Sequence, residues 1–301
     1  MMFFDFSMIL RSVFCLAVSI PYCFLLVSCN GKSDQSAENT VEFEFPYDFS
    51  SPDVYELDDV MHEISGISPL PDSTGLLAIN DESGKLFWLD MKGRITKWKW
   101  FHKGGDYEDL AVVGNGVFVM KSNGNLYHVP DFSLDSLTAV TFKADAKDEV
   151  EFESLALDQK SNRLLLLVKD GESVKSQAPF YGFDLGQMKF QDGHVLMLEP
   201  RKAPDVTTKG RSFRSSAMAF HPITGHLYVV ASINKMLLIC DRNGNGVGSV
   251  KLNKKMFPQP EGLCFLPNGD MFISTEGKSK SAKLLRFQYL PGVPGAPKPA
   301  N

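Results

Sequence analysis

The stretch Phe152-Glu153-Ser154-Leu155-Ala156-Leu157 is followed by a polar turn, Gln159-Lys160-Ser161-Asn162, and then by the apolar run RLLLLV at 163–168. It is one copy of a pattern that recurs along the chain. Aligned with EISGIS at 63, YEDLAV at 107, SSAMAF at 215 and PEGLCF at 260, it places Ser65, Glu108, Glu153, Ser216 and Glu261 in one column. The intervals are 43, 45, 63 and 45 residues. Turns follow each motif (DSTG at 72, GNG at 114, PITG at 222, PNG at 267), and second apolar runs follow the turns (LLAIN, VFVMK, LYVVA, MFIST). Third runs (KLFWLD, NLYHV, FYGFDL, MLLICD, KLLRFQ) and some fourth runs (RITKWKW, HVLMLEP, GVGSVKL) complete the units.

Short apolar strands broken by Gly, Asn and Pro turns, at roughly 45 residues per unit, are the mark of propeller blades. No amphipathic helix of about 12 residues or more competes with them. The fold class is therefore all-β, a five-bladed β-propeller. A six-bladed ring is the alternative, because the 63-residue interval has room for a degenerate unit, but 173–187 and 199–213 read better as long loops. A β-sandwich does not account for the recurring carboxylate column. Val54-Tyr55-Glu56-Leu57 precedes the first motif and can supply the outer strand of the last blade, closing the ring without an open edge.

Outward from the ring, the chain reads as an exported protein. Its 301 residues are 44% hydrophobic and 22% charged, enough for a sizeable core. Lys+Arg 31 against Asp+Glu 36 gives −5, with no basic excess for nucleic acid. The apolar run at 13–27 falls short of the roughly 20 residues of a membrane-spanning helix and reads as a secretory signal over 1–28. It ends in Leu26-Val27-Ser28-Cys29, which resembles a bacterial lipobox, so Cys29 is the expected lipid attachment point and the protein is membrane-tethered rather than membrane-spanning. The expected organisation is a signal over 1–28, a lipidated Cys and polar spacer over 29–50, the propeller over 51–290 and a Pro/Gly-rich tail over 291–301. The expected location is the bacterial cell envelope, at the outer membrane. Once the signal is removed, Cys240 and Cys264 remain beside Cys29; both sit in apolar runs and read as packed core thiols.

In a propeller the first strand of every blade lines the central channel, so one column converges on the axis. Glu108, Glu153 and Glu261 would then stand close together, raise one another's pKa, and call for a cation. An all-oxygen set selects a hard ion; Ca²⁺ tolerates irregular geometry better than Mg²⁺, and no His or Cys joins the column to favour zinc. The competing reading is a rim of solvated acids. Ser65 and Ser216 complete the column, and Glu63, Asp81, Asp170 and Glu276 lie near the same rim. The stretch Asp241-Arg242-Asn243-Gly244-Asn245-Gly246 begins like a calcium loop but has Leu252 where the bidentate acid belongs, and reads as a hairpin. No nucleophile elbow, phosphate loop or dinucleotide fingerprint is present. His62 is a candidate base near the channel mouth, with a structural role the blander reading.

The combination of EISGIS, DYEDLAV, FESLAL, FRSSAMAF and PQPEGLCF with the following ISTE resembles the SdiA-regulated family of bacterial exported propellers, over nearly all of 54–290. The resemblance implies a five-bladed propeller with a calcium site, distantly related to NHL repeats and to calcium-dependent lactonase and esterase propellers. Glu108, Glu153 and Glu261 fall on the matching positions, whereas Ser216-Ala217 departs from the family's usual Ser-Gly. Two functions follow as expectations. One is a calcium-binding module, anchored to a membrane through Cys29, that takes a protein or small-molecule ligand on its rim. The other is a calcium-dependent hydrolase, a lactonase, esterase or phytase-like phosphoesterase, for which Lys121 or Lys169 would supply the cation beside a phosphate.

Overall fold

The structure, a computed structural model, describes residues 45–144, 150–170, 177–203, 206, 213–277 and 280–292. The signal segment, Cys29, most of the spacer and the tail beyond 292 lie outside the described residues. Strand β1 (Asp53–Glu56) precedes the first full blade, which contains β2 (Ile64–Pro69), β3 (Gly75–Asn80), β4 (Lys85–Asp90) and β5 (Ile95–Trp100). The second blade has β6 (Tyr107–Val113), β7 (Gly116–Lys121), β8 (Leu126–Val129) and β9 (Val140–Phe142). The third has β10 (Glu151–Asp158), β11 (Arg163–Asp170), β12 (Ala178–Asp184) and β13 (Lys189–Leu198). The fourth has β14 (Ala217–Phe220), β15 (Leu227–Ala231), β16 (Met236–Cys240) and β17 (Gly246–Lys251), and the fifth β18 (Pro260–Phe265), β19 (Met271–Thr275) and β20 (Lys283–Phe287).

Each blade is a four-stranded antiparallel sheet, and the fifth is completed by β1 against β20, with Val54 opposite Leu285 and Tyr55 opposite Leu284. The innermost strands form the ring: β2 lies against β6, β6 against β10, β10 against β14, β14 against β18, and β18 against β2. The six-bladed alternative is not supported. FYGFDL, in the longest interval, is β12 of the third blade, and the described part of 199–213 holds one 3₁₀ turn, Pro200–Lys202.

The middle strands read as unbroken apolar runs because both faces of a blade are covered by its neighbours. Leu164–Val168 are completely buried on this account, as are Val229 and Val230. The core is divided among the blade interfaces: Leu77, Ile79 and Trp88 of the first blade pack with Leu110, Val117 and Val119 of the second, and Ile64, Ala78 and Phe87 with Cys264, Phe272 and Leu284 of the fifth. Each such aliphatic side chain contributes about 1.5–3 kcal/mol on burial. Cys240 and Cys264 are buried free thiols within this packing, as the apolar runs around them implied.

Hairpins are closed by aspartates. Asp241 accepts from the backbone N–H of Asn243 and Asn245, at 2.8 and 2.9 Å, and Gly244 takes φ +85°, so the calcium-like stretch is the β16–β17 hairpin. Asp90 does the same in the first blade, accepting from Lys92 and Arg94 N–H at 2.9 Å. Asp158, at the end of β10, pairs with Arg163 of its own blade and with Arg242 of the fourth.

The boundary placed at residue 50 needs correction. Phe45, Tyr47 and Phe49 are part of the packed body: Tyr47 is 1% exposed, its hydroxyl donates to the Gly269 carbonyl at 2.7 Å, and Phe49 stacks on Phe287 at 4.5 Å. These rings bury more apolar surface than a polar spacer offers, which fixes the chain to the fourth and fifth blades ahead of β1.

Candidate functional site

The column glutamates are placed by a backbone irregularity that repeats around the ring. In the second blade Tyr107 faces Lys121 and Asp109 faces Met120, so Glu108 between them has no partner across the ladder. Glu153 is the extra residue between the Phe152–Val168 and Ser154–Leu167 pairs, and Glu261 between Pro260–Thr275 and Gly262–Ser274. In the first blade Ser65 and Gly66 together face Ile79. In the fourth, the Ser216 N–H donates at 2.8 Å to Val230, which already faces Ala217. A β-bulge re-aims one side chain and bends its strand. Register breaks of this kind occur in the first, second, third and fifth blades, and in the last three of these the residue set out of register is a column glutamate.

The carboxylates that arrive there feel one another. Burial pushes the Glu108 pKa up to about 8, with Glu153 and Asp106 adding to the rise. Burial likewise pushes Glu153 up to about 7, against the pull of Lys169. Glu261 is held well above the usual carboxylate range by burial, then by Glu153 and Glu276. Lys169, at the end of β11, ion-pairs with Glu153. Burial alone would lower its pKa, but Glu153, aided by Glu108 and Glu261, outweighs that and raises it. The site is thus three carboxylates that share one electrostatic field with one ammonium, although their oxygens do not all lie within 4.8 Å of one another.

Other expected residues fall around it. Ser216 donates its hydroxyl to the Pro260 carbonyl at 2.7 Å, which ties the fourth blade to the fifth and commits that group. His62 packs beside Gly277, whose N–H donates to the His62 carbonyl at 3.0 Å. Lys121 lies over the rings of Tyr107 and Tyr127, at 5.0 and 5.8 Å. Of the two lysines singled out from the sequence, Lys169 is the one paired with a column glutamate. The side chain of Asp170 lies outside the described residues.

Glu63 and Asp81 were expected near the rim; two features, their grouping with Glu82 and the role of Asp109, were not read from the sequence. Glu63, Asp81 and Glu82 bring carboxylate oxygens within 4.8 Å of one another, and they are the one acidic trio among the described residues to do so. Burial, followed by Glu63 and Glu82, pushes the Asp81 pKa up to about 6. Asp81 adds to the field at Glu108, so this trio extends the acidic mouth toward the first blade. The second feature is Asp109, 4% exposed, which accepts from the backbone N–H of Leu155 at 2.7 Å and of Leu110 at 2.8 Å. It bridges the inner strands of the second and third blades just beneath the glutamates.

The donor set suits a hard divalent cation. All three donors are carboxylates; burial first, and then repulsion from neighbouring carboxylates, raises their pKa values, so a divalent cation taking the place of their protons would relieve that repulsion.

Comparison with known proteins agrees with this architecture. A family model described as SdiA-regulated matches residues 47–279. Among solved structures, glutaminyl cyclase from Myxococcus xanthus superposes with a TM-score of 0.54 at 12% identity, over 78% of this chain and 94% of that one. A PQQ-bound aldose sugar dehydrogenase from Streptomyces coelicolor gives 0.49 at 11% identity, over 80% and 99% of the two chains. A luciferin-regenerating enzyme gives 0.49 at 11% identity, over 83% and 100%. At 12% identity the glutaminyl cyclase likeness speaks for the propeller fold alone.

Proposed function

The chain belongs to the SdiA-regulated family, and from that premise and the acidic channel mouth we propose that it is a calcium-binding propeller, tethered to a bacterial membrane through Cys29, that presents a ligand-binding rim. The observation that carries the reading is the set of bulge-borne glutamates, Glu108, Glu153 and Glu261, sharing the single ammonium of Lys169. These three would hold the ion, and Lys169 limits the negative charge that remains. When bound, calcium would cancel that charge and offer a polarising centre for an oxygen-bearing ligand. Because each glutamate comes from a different blade, occupancy would also cross-link the second, third and fifth blades.

Melting in EGTA, with Ca²⁺ or Mg²⁺ then restored, tests the reading. The expected result is a calcium-specific rise in melting temperature with near-stoichiometric metal. Glu153→Gln removes one anionic ligand and is expected to weaken calcium binding about tenfold, or 1.4 kcal/mol. A titration unchanged by the substitution would remove Glu153 from the site. The hydrolase reading separates in the same samples: calcium-dependent cleavage of an aryl ester or lactone, lost in Glu153→Gln, would assign the ion to catalysis.

The tether has its own test. Cys29→Ala is expected to move the protein from the membrane fraction to the soluble fraction of the cell envelope. Continued membrane retention would point to another attachment.

A further inference from the structure

Strand β5 is the outermost strand of the first blade, paired with β4 and with no strand on its other side among the described residues. Its side chains alternate between the two faces of the sheet. Trp98 and Trp100 share one face, opposite Phe87 and Lys85 of β4. Half of each indole is open to solvent, at 50% and 53%, and the rings meet edge to face with centroids 6.2 Å apart. The Lys85 ammonium sits 4.6 Å from each ring centroid. On the other face Lys97 stands 4.5 Å from the ring of the buried Trp88.

The charge of this edge runs against that of the chain. From 91 to 105 there is no Asp or Glu, whereas Lys92, Arg94, Lys97, Lys99 and Lys103 fall in that stretch, in a chain of net charge −5. Arg94 pairs with Asp90, and Lys99 donates to the Ser133 and Leu134 carbonyls. Lys85 and Lys97 have no carboxylate partner among the described residues. Edge lysines guard a free strand against pairing with another chain. That role calls for no indoles, whose exposed apolar surface is unfavourable in water. Tryptophan settles at membrane–water interfaces, with its ring at head-group level, while lysine stems carry their charge to anionic phosphates.

We propose that β5 and Lys85 form a docking edge for a bilayer that contains anionic phospholipid. Trp98 and Trp100 enter the head-group layer, and Lys85 and Lys97 meet its phosphates. The positive charge selects an anionic surface and disfavours a second copy of the chain, whose equivalent edge carries the same lysines. The nearness of a bilayer rests on the tether at Cys29: the sixteen residues 29–44 span at most about 55 Å, which keeps Phe45 within that distance of the membrane. Held that close, a weak contact acts as an intramolecular one.

The chain has three tryptophans, and Trp88 is 4% exposed, so emission quenched by bilayer-borne bromine reports this edge whatever else attaches the protein. The full chain carrying Cys29→Ala is mixed with vesicles of phosphatidylethanolamine and about 30% phosphatidylglycerol, brominated on the acyl chains near the head groups. The expected result is loss of about a third or more of the emission, little loss on brominated phosphatidylcholine, and reversal in about 0.5 M NaCl. Lys97→Glu, at an exposed position, is expected to raise at least about fivefold the lipid needed for half-maximal quenching. Absence of quenching on the anionic vesicles overturns the proposal, as does equal quenching on phosphatidylcholine, and neither comparison depends on a variant of β5. A dimer in solution that Trp98→Ser with Trp100→Ser dissociates would also overturn it, giving the edge to a second copy. Because the chain tested carries no Cys29, failure of the tether leaves these outcomes standing.

Discussion

A Gly66→Ala chain is expected to melt about 6–12 °C below the wild type, a loss of about 3 kcal/mol. A Cβ on Gly66 would stand 2.6 Å from Asp109 Oδ1, 2.8 Å from Asp109 Cα and 2.8 Å from the Leu110 nitrogen. Two of those atoms are backbone of the neighbouring inner strand, so relief requires one blade to slide against the next. Nor can the Asp109 carboxylate swing aside cheaply, because it accepts from the Leu155 and Leu110 N–H groups. Moving it would orphan a buried donor, at about 1–3 kcal/mol. Gly114→Ala is the control: Gly114 has φ +59° but nothing within 4 Å of the added carbon, so it carries only backbone strain of about 1 kcal/mol. Circular dichroism melts of the two variants separate crowding from backbone conformation. A Gly66→Ala protein melting within about 2 °C of wild type, less than 1 kcal/mol, would mean the inner strands have more freedom than their contacts imply.

Lys169→Met is expected to act in opposite directions on stability and on calcium. Removing the ammonium leaves Glu108, Glu153 and Glu261 without the cation they share. Breaking a fully buried pair costs about 3–5 kcal/mol; with the Lys169 side chain 27% exposed, about 2 kcal/mol is the expected loss at pH 8.5 in EGTA. The sign with pH follows from the raised carboxyl pKa values. A folded-state pKa above the unfolded value contributes stability that is complete below the ordinary value of 4.5 and is lost as pH rises through about 7 for Glu153 and about 8 for Glu108. The wild-type melting temperature in EGTA should therefore fall between pH 5 and pH 8.5. The variant should fall more steeply and lie near the wild type at pH 5, where the glutamates hold their protons. At pH 8.5 calcium should bind the variant about tenfold more tightly, because one fewer positive charge opposes it. Parallel pH curves and an unchanged calcium titration would show that Lys169 does not share charge with the column.

The blade count was legible because the second strand of each unit is buried on both faces and so spells a continuous apolar run, as at Leu164–Val168. Closure by β1 was legible from one leftover apolar segment ahead of the first motif. Strand β9 was not: its three residues, Val140–Phe142, are largely exposed and leave no periodic trace. The packing of Phe45, Tyr47 and Phe49 could have been found, because aromatics at alternate positions mark a strand-like face even inside an otherwise polar segment.

The glutamate column was visible as a repeat, but not the means of its convergence. A bulge adds one residue without changing composition, and its trace is a local break in alternation, as where Glu108 is followed by the two buried residues Asp109 and Leu110. The partner Lys169 arrives from the end of a second strand, so no spacing within one motif connects it to Glu153.

The pairing of β1 with β20 also sets an order of events in time. The first strand of the ring to be synthesised waits for the last. Until β20 emerges, the fifth blade lacks its outer strand and the ring remains a stack with two ends. Contacts so distant along the chain form slowly, since the whole intervening length must be organised before they are rewarded. A chain built this way cannot close its ring until β20 has been made, so the last blade is the one that turns an open stack of sheets into a ring.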